Sequence, residues 1–142
     1  MENRESDWEP LIVAFLCRWC ASAGADLAGV SRLEYPPNIT PITVPCSGRV
    51  DSQLILLAFV NGADGVLIGG CHTPEDCHYI AGNFKALKRF ALIRKILKQY
   101  GINPERVRLD WVSATEAQKF AEVARDFTEK VRKLGPLRRR EK

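Results

Sequence analysis

Short apolar runs alternate along this chain with segments of helical periodicity, and this alternation is the feature that most constrains the fold. Runs rich in β-branched residues, typical of buried strands, lie at 11–16, 39–44, 65–70 and 107–112. Cap and breaker residues predict helices over 22–32 and 52–61, and apolar residues that recur every three or four positions predict two more, over about 80–100 and from 113 to 134. A repeated strand–helix order makes consecutive strands parallel, with right-handed crossovers. The sequence therefore predicts an α/β domain.

The local signals at the helix ends agree with this order. Asp51 precedes the second helix as an N-cap, and Ser113 with Glu116 three residues later predicts a capping box for the last helix. The helices are predicted to stop at Gly62, Gly101 and Gly135. The fourth strand alternates apolar and polar residues, which is typical of a sheet edge. The simplest arrangement is a flavodoxin-like, four-stranded parallel sheet of order 2-1-3-4 with helices on both faces.

The cysteines are concentrated where this topology would bring them together. All five lie in the first 77 residues, each at or just beyond the end of an apolar run: Cys17, Cys20, Cys46, Cys71 and Cys77. In an open parallel sheet, ligands bind beyond the carboxyl ends of the strands, near the point where the winding reverses. Thiolates are soft ligands for zinc and for iron–sulfur clusters, and four is the usual number. We therefore expect one shared metal or redox centre, with one cysteine more than it needs.

Three other interpretations compete with an iron–sulfur centre. The cysteines could be small buried hydrophobic residues, or Cys17-Arg-Trp-Cys20 could be a thioredoxin-like dithiol, since it lies between a strand and a helix. Structural zinc fits the same ligand types. His72 and His78 each follow a cysteine, and we expect them to hydrogen bond to sulfur or to pack the loop rather than to bind metal. Spacing alone leaves these alternatives open.

Composition and charge narrow the class of protein. The chain has 142 residues and a formal charge of +4, too small an excess to indicate nucleic-acid binding. Its longest apolar stretches fall short of the roughly 20 residues that cross a bilayer. The N-terminus is acidic where a signal peptide would be basic, so we expect a cytoplasmic protein, in which cysteine clusters more often bind metal than form disulfides. A basic face on the third helix suggests docking to an acidic partner.

Combinations of short motifs along nearly the whole chain resemble one known family, the delta subunit of the methyl-viologen-reducing (F420-non-reducing) hydrogenase. The cysteines lie inside several of these motifs. The motifs are Cys17-Arg-Trp-Cys20, Gly24-Ala-Asp-Leu-Ala-Gly-Val-Ser-Arg32, Tyr35-Pro-Pro37, Pro45-Cys-Ser-Gly-Arg-Val50, Gly62-Ala-Asp-Gly-Val66, Gly69-Gly-Cys-His72, Asp76-Cys-His-Tyr79, Gly82-Asn83, Glu105-Arg-Val-Arg-Leu109, Trp111-Val-Ser-Ala114, Lys119-Phe120, Phe127-Thr128 and Leu134-Gly-Pro136. One departure is Thr73-Pro74-Glu75, which makes the loop from Cys71 to Cys77 one residue longer than is usual in the family.

The resemblance implies a small subunit that carries a [2Fe-2S] cluster and relays electrons without bond chemistry of its own. It would link a hydrogenase, or sometimes a formate dehydrogenase, to the flavin-bearing A subunit of heterodisulfide reductase. There electrons are bifurcated, in the anaerobic metabolism of methanogens and other anaerobes. The expected organisation is a single iron–sulfur domain over 1–136 and a basic, disordered tail over 137–142. Four of Cys17, Cys20, Cys46, Cys71 and Cys77 would bind iron, and the longer loop leaves open which four.

Overall fold

One parallel sheet forms the centre of the protein. The computed structural model describes residues 8–72 and 77–137. Its strands are β1 (Ile12–Cys17), β2 (Ile39–Val44), β3 (Gly65–Gly70) and β4 (Val107–Trp111). All neighbouring strands pair in parallel, in the order β2-β1-β3-β4. The predicted α/β fold, the parallel pairing and the strand order are all confirmed.

Four helices connect and cover the strands: α1 (Ala21–Val30), α2 (Ser52–Val60), α3 (Gly82–Gln99) and α4 (Ala117–Leu134). The glycines that end α2, α3 and α4 have φ angles of +106°, +76° and +80°, the left-handed region that glycine adopts without steric cost. One core cluster joins α1 and α4 to the sheet, and a second joins α2 and α3 to it. The helices therefore cover both faces, as predicted.

The start of α4 differs from the prediction. The Glu116 carboxylate accepts a hydrogen bond from the Ser113 backbone N–H (3.0 Å), which is one half of the expected capping box. The Ser113 hydroxyl instead pairs with Thr115, and the helix begins only at Ala117. A Cβ on Gly24 would lie 2.8 Å from the Ser113 carbonyl oxygen, so α1 packs tightly against this residue. This close packing holds Ser113 in the loop between β4 and α4.

A network of buried charged groups ties together the amino edge of the sheet. The Asp64 carboxylate, just before β3, accepts hydrogen bonds from the backbone N–H groups of Leu11 (2.9 Å) and Leu137 (3.1 Å). The Arg106 guanidinium donates to the carbonyls of Asp64 (2.9 Å) and Gly135 (2.7 Å). Asp64 and Arg106 are only 3% and 5% exposed. This Asp64–Arg106 network joins the beginnings of three strands to the end of α4.

Within residues 8–72 and 77–137, no helix combines the length and the apolar character that a membrane span requires. The edge strands β2 and β4 are more exposed than the central strands β1 and β3, which agrees with the alternating pattern seen in β4. The predicted disordered tail falls mainly on 138–142, which lie outside the described residues.

Candidate metal centre

The five cysteines lie together at the carboxyl edge of the sheet. Cys17 is the last residue of β1, one position later than the predicted end of that strand, and Cys20 directly precedes α1. Cys46 follows β2 and precedes a single 3-10 turn, Cys71 directly follows β3, and Cys77 lies in the loop before α3. All five are buried, and none forms a disulfide. The predicted convergence of the thiols is therefore seen in the structure.

The sulfurs fall into two groups. Cys17, Cys20 and Cys71 form one, since their Sγ atoms all lie within 4.8 Å of one another. In this group the Cys17 and Cys71 sulfurs are 3.7 Å apart, and those of Cys20 and Cys71 are 2.9 Å apart. Cys46 and Cys77 form the second group, with their sulfurs 3.8 Å apart.

Glycine makes the Cys46–Cys77 pair possible. Gly82, the first residue of α3, faces both sulfurs: a Cβ built there would overlap the Cys46 sulfur and lie 3.1 Å from that of Cys77. Across the same contact, a Cβ on Gly48 would lie 3.0 Å from the Gly82 backbone. The turn after β2 and the beginning of α3 can therefore approach each other closely only because neither residue has a side chain. The orphan N–H groups of the first turn of α3 then face the sulfurs.

Backbone N–H groups connect the two sulfur groups. The backbone N–H of Ser47, next to Cys46, acts to lower the pKa of Cys17, and that of His78, next to Cys77, acts in the same direction on Cys71. The loops that carry Cys46 and Cys77 therefore also contact the group formed by Cys17, Cys20 and Cys71. The result is one continuous cluster of sulfur and amide groups, in which the amide dipoles stabilise negative charge on sulfur.

These contacts give the thiols different proton affinities. Hydrogen bonds from Cys20 and from the Trp19 backbone lower the pKa of Cys17 to about 5, whereas the same contact with Cys17 raises the pKa of Cys20. Burial raises the pKa of Cys71 to about 11, and it also raises that of Cys46. Burial acts in the same direction on Cys77, but N–H groups at the start of α3 outweigh it and lower the pKa of that thiol. A bound cation would stabilise the thiolate form of each ligand.

Asn83 and Glu116 hold Cys71 and His72, the two residues that directly follow β3. The fully buried Asn83 side chain donates hydrogen bonds to the carbonyls of Cys71 (3.4 Å) and His72 (3.0 Å). The His72 imidazole contacts the Glu116 carboxylate. The Ser113 N–H and this imidazole lower the pKa of Glu116 to about 2. His72 is thus held in place by an acidic side chain.

An exposed group of aromatic rings lies over the cysteine loops. Trp19 stacks on His78 with ring centroids 3.8 Å apart, and the His78 ring meets Tyr79 edge-on at 5.0 Å. The Trp19 indole N–H donates to the Tyr79 hydroxyl (3.3 Å). Because Trp19 lies between Cys17 and Cys20, and His78 follows Cys77, this stack joins a loop of each sulfur group.

Three of these features could not be anticipated from sequence patterns. Gly82-Asn83 was visible as a motif, but only the packing shows that Gly82 accommodates the sulfurs and that Asn83 holds the loop after β3. The stack of Trp19 on His78 joins residues far apart in the chain, and no periodicity indicates it.

A family model described as methyl-viologen-reducing hydrogenase, delta subunit, matches residues 12–135. The chain is 54% identical over 132 residues to the D iron-sulfur subunit of the F420-non-reducing hydrogenase of Archaeoglobus profundus, covering 93% of this chain and 96% of that one. It is 51% identical over 130 residues to the D iron-sulfur subunit of the vhc F420-non-reducing hydrogenase of Methanococcus voltae, covering 92% and 90%.

A third relative has a different organisation. The chain is 46% identical over 128 residues to the A subunit of a ferredoxin/F420H2-dependent CoB-CoM heterodisulfide reductase of Methanosarcina acetivorans. The match covers 90% of this chain but only 16% of that longer protein. A domain similar to this protein is thus one part of a longer polypeptide in that relative.

Proposed function

Because the chain belongs to the methyl-viologen-reducing hydrogenase delta-subunit family, we propose that it is an electron-transfer subunit with a [2Fe-2S] cluster at the carboxyl edge of its sheet. Such a cluster accepts and releases one electron at a time. The chain's own residues hold the thiolates in place, exclude water from them and direct amide N–H groups toward the sulfurs. We assign no bond-making chemistry to the protein.

The spacing of the sulfurs carries this proposal. Two thiolates bound to one tetrahedral metal ion at about 2.3 Å lie about 3.8 Å apart. Cys17 and Cys71 are separated by 3.7 Å, and Cys46 and Cys77 by 3.8 Å. Two such pairs on facing loops suit a binuclear cluster, in which each iron takes two thiolates. We therefore propose Cys17, Cys46, Cys71 and Cys77 as the ligands.

Cys20 is then the fifth thiol. Its sulfur is 2.9 Å from that of Cys71, too close for two thiolates on one metal ion, and its contact with Cys17 lowers the pKa of Cys17 and raises its own. We propose that Cys20 stays protonated beside the cluster and contributes a hydrogen bond to a ligand sulfur. Donors of this kind affect the reduction potential of such clusters.

The geometry is less favourable to structural zinc. A single zinc ion usually needs four ligands at the corners of one tetrahedron. Within 8–72 and 77–137, Cys17, Cys20 and Cys71 are the one group of three or more possible ligands whose donor atoms all lie within 4.8 Å of one another. Cys46 and Cys77 lie outside that group, which favours two metal ions over one.

Thioredoxin-like exchange is also disfavoured. The attacking thiol of a dithiol exchange protein must be reached by the disulfide of its substrate. Cys17 and Cys20 are only 1% and 6% exposed, and Cys17 ends a central strand. Electron transfer tolerates this burial because the donor and the acceptor need not touch the metal.

The proposed partners follow from the relatives. The D subunits of hydrogenases match this chain along nearly their whole length, and a similar domain occurs inside the A subunit of a heterodisulfide reductase. When two domains occur on one polypeptide, they operate side by side at a high effective concentration. We infer that this chain relays electrons from a hydrogenase, or from a formate dehydrogenase, to the A subunit of heterodisulfide reductase in a cytoplasmic, electron-bifurcating complex.

Serine substitutions test the ligand assignment. Cys17→Ser, Cys46→Ser, Cys71→Ser and Cys77→Ser should each lose most of the iron and acid-labile sulfide, because oxygen is a poor replacement for a soft thiolate ligand. Cys20→Ser is the matched control, since it is equally buried and should keep both. Normal iron and sulfide in Cys46→Ser would contradict the proposed centre, and loss of the cluster in Cys20→Ser would contradict the choice of four.

The relay itself is tested in the assembled complex. A complex containing Cys46→Ser should still oxidise hydrogen with an artificial dye as acceptor, because that reaction needs only the hydrogenase subunits. Electron flow to the heterodisulfide should fall strongly in the same preparation. Unchanged flow to the heterodisulfide would show that electrons bypass this protein.

A further inference from the structure

We propose that four exposed residues above the cysteines, Trp19, His78, Tyr79 and Ile80, form the docking face for the A subunit of heterodisulfide reductase. We call this surface the aromatic face, and we infer that the partner meets it with an apolar centre and an acidic rim. The inference deepens the proposed function and rests on it. It concerns where the electron leaves the protein.

The aromatic face is formed by the loops that carry the cysteines. Trp19 lies within the loop from Cys17 to Cys20, and His78 directly follows Cys77. The stack of these two rings, 3.8 Å apart, joins the loop from Cys17 to Cys20 with the loop that carries Cys77. Electron tunnelling weakens steeply with distance, so a partner must approach the cluster where little protein intervenes. The aromatic face consists of residues within a few positions of the thiols themselves.

Apolar groups are exposed at the aromatic face. Trp19 is 47% exposed, Tyr79 52% and Ile80 82%. Ile80 also has a φ angle of +73°, which β-branched residues rarely adopt. Neither burial within this chain nor backbone preference accounts for an isoleucine there. Aromatic and apolar residues in such a cluster are typical of the centre of a protein–protein interface, and strained backbone often marks a functional site.

Basic side chains lie on one side of the aromatic face. The Arg18 guanidinium lies 5.9 Å from the centre of the Trp19 ring, and the exposed Lys85 and Lys88 follow in the first two turns of α3. The sequence from Cys77 to Pro104 contains no aspartate or glutamate. The side of the aromatic face formed by Arg18 and the start of α3 therefore carries positive charge, which favours a partner with acidic groups at the corresponding positions.

Charge substitutions at Ile80 test both parts of the proposal. The reductase A subunit from the same organism is titrated into the anaerobically purified protein, and the Kd is measured by calorimetry. We expect Ile80→Asp to raise the Kd about tenfold or more, because it removes an apolar contact and adds a charge of the partner's sign. Ile80→Lys should raise the Kd less, since its charge is opposite to that of the acidic rim. The wild-type Kd should increase with ionic strength.

Tyr100→Asp is the matched control. Tyr100 is 71% exposed but lies at the other end of α3, at the amino edge of the sheet, so its substitution should leave the Kd unchanged. The proposed docking face would be contradicted if Ile80→Asp bound the partner with wild-type affinity, or if Tyr100→Asp lost as much affinity as Ile80→Asp. An equal loss of affinity in Ile80→Lys and Ile80→Asp would contradict an acidic rim on the partner. Iron and sulfide are measured in every sample. Wild-type protein without iron and sulfide would contradict the proposed electron relay. The Kd values of the variants would still decide whether the aromatic face is the docking surface.

Discussion

The two edges of the sheet both bury polar groups, but they do so in different ways. At the amino edge, Asp64 and Arg106 pair with backbone groups at the ends of several elements of the same chain. At the carboxyl edge, five buried thiols contact one another and a set of amide N–H groups. The first arrangement is a closed network of donors and acceptors. The second gathers soft ligands around a common centre.

The amino edge of the sheet therefore contributes mainly to the stability of the fold, and the carboxyl edge mainly to function. A buried charge costs free energy unless its partners are within the protein, so the amino edge stabilises the fold. Clustered thiols contribute little by hydrogen bonding, because sulfur is a weak donor and a weak acceptor. The proposed cluster would account for their convergence and for the glycine that accommodates them. Substitutions at the two edges should therefore have separable effects.

The largest effect on folding is expected at the amino edge. Asp64→Ala removes the acceptor for two backbone N–H groups and leaves the Arg106 guanidinium without its neighbouring carboxylate. We expect the free energy of unfolding to fall by about 3–5 kcal/mol, measured by anaerobic urea denaturation. The exposed Asp26→Ala is the control and should change it by less than about 0.5 kcal/mol. Iron per folded chain should stay at the wild-type level in both variants; its loss in Asp64→Ala would show that the two edges are coupled.

A smaller effect on stability, with a change in the cluster, is expected for Gly82→Ala. The added Cβ would overlap the Cys46 sulfur, so either the ligand or the start of α3 must move. We expect a loss of about 1–3 kcal/mol and a fall in iron and sulfide per chain.

Gly29→Ala is the control for that substitution, because a Cβ there meets no atom within 4 Å. Being in an exposed helical position, it should be neutral or stabilising by up to about 1 kcal/mol. Equal iron content in Gly82→Ala and Gly29→Ala would mean that the close approach of Gly82 to the sulfurs is not needed to hold the cluster.

The smallest effect is expected at the rim of the carboxyl edge. Glu116 and His72 are about one-third exposed, so Glu116→Gln should cost less than about 1 kcal/mol at pH 7. The pKa of Glu116 is lowered from 4.5 to about 2, so its contribution is present above pH 4.5 and is lost as the pH falls toward 2. Urea unfolding of metal-free protein at pH 7 and pH 3 should show a larger difference between wild type and variant at pH 7. A cost as large as that of Asp64→Ala would contradict the comparison of the two edges.

The strands and their order could be predicted because their signals are local and repeated. The bounds predicted for β2 and β3 agree with the structure, since β-branched and glycine residues mark where those runs begin and end. The predicted start of α4 was wrong. The packing of Gly24 against Ser113 is a tertiary contact, and a capping pattern in the sequence does not indicate it.

For the candidate site, the sequence patterns predicted that the cysteines meet at one edge of the sheet but did not predict how their sulfurs pair. Parallel strand ends bring Cys17, Cys46 and Cys71 to one edge, which topology alone implies. The pairing of Cys17 with Cys71 and of Cys46 with Cys77 depends on how the loops turn. The left-handed backbone of Ile80 depends on the same loops. Sequence patterns carry no signal for side-chain directions in irregular segments.

The most direct test of the central claim is the measurement of iron and acid-labile sulfide in anaerobically purified protein, with paramagnetic resonance of the reduced form. The proposed centre predicts about two iron atoms and an equal amount of sulfide per chain, and the signal of a reduced binuclear cluster. One zinc ion per chain without sulfide, or thiols free of any metal, would contradict it.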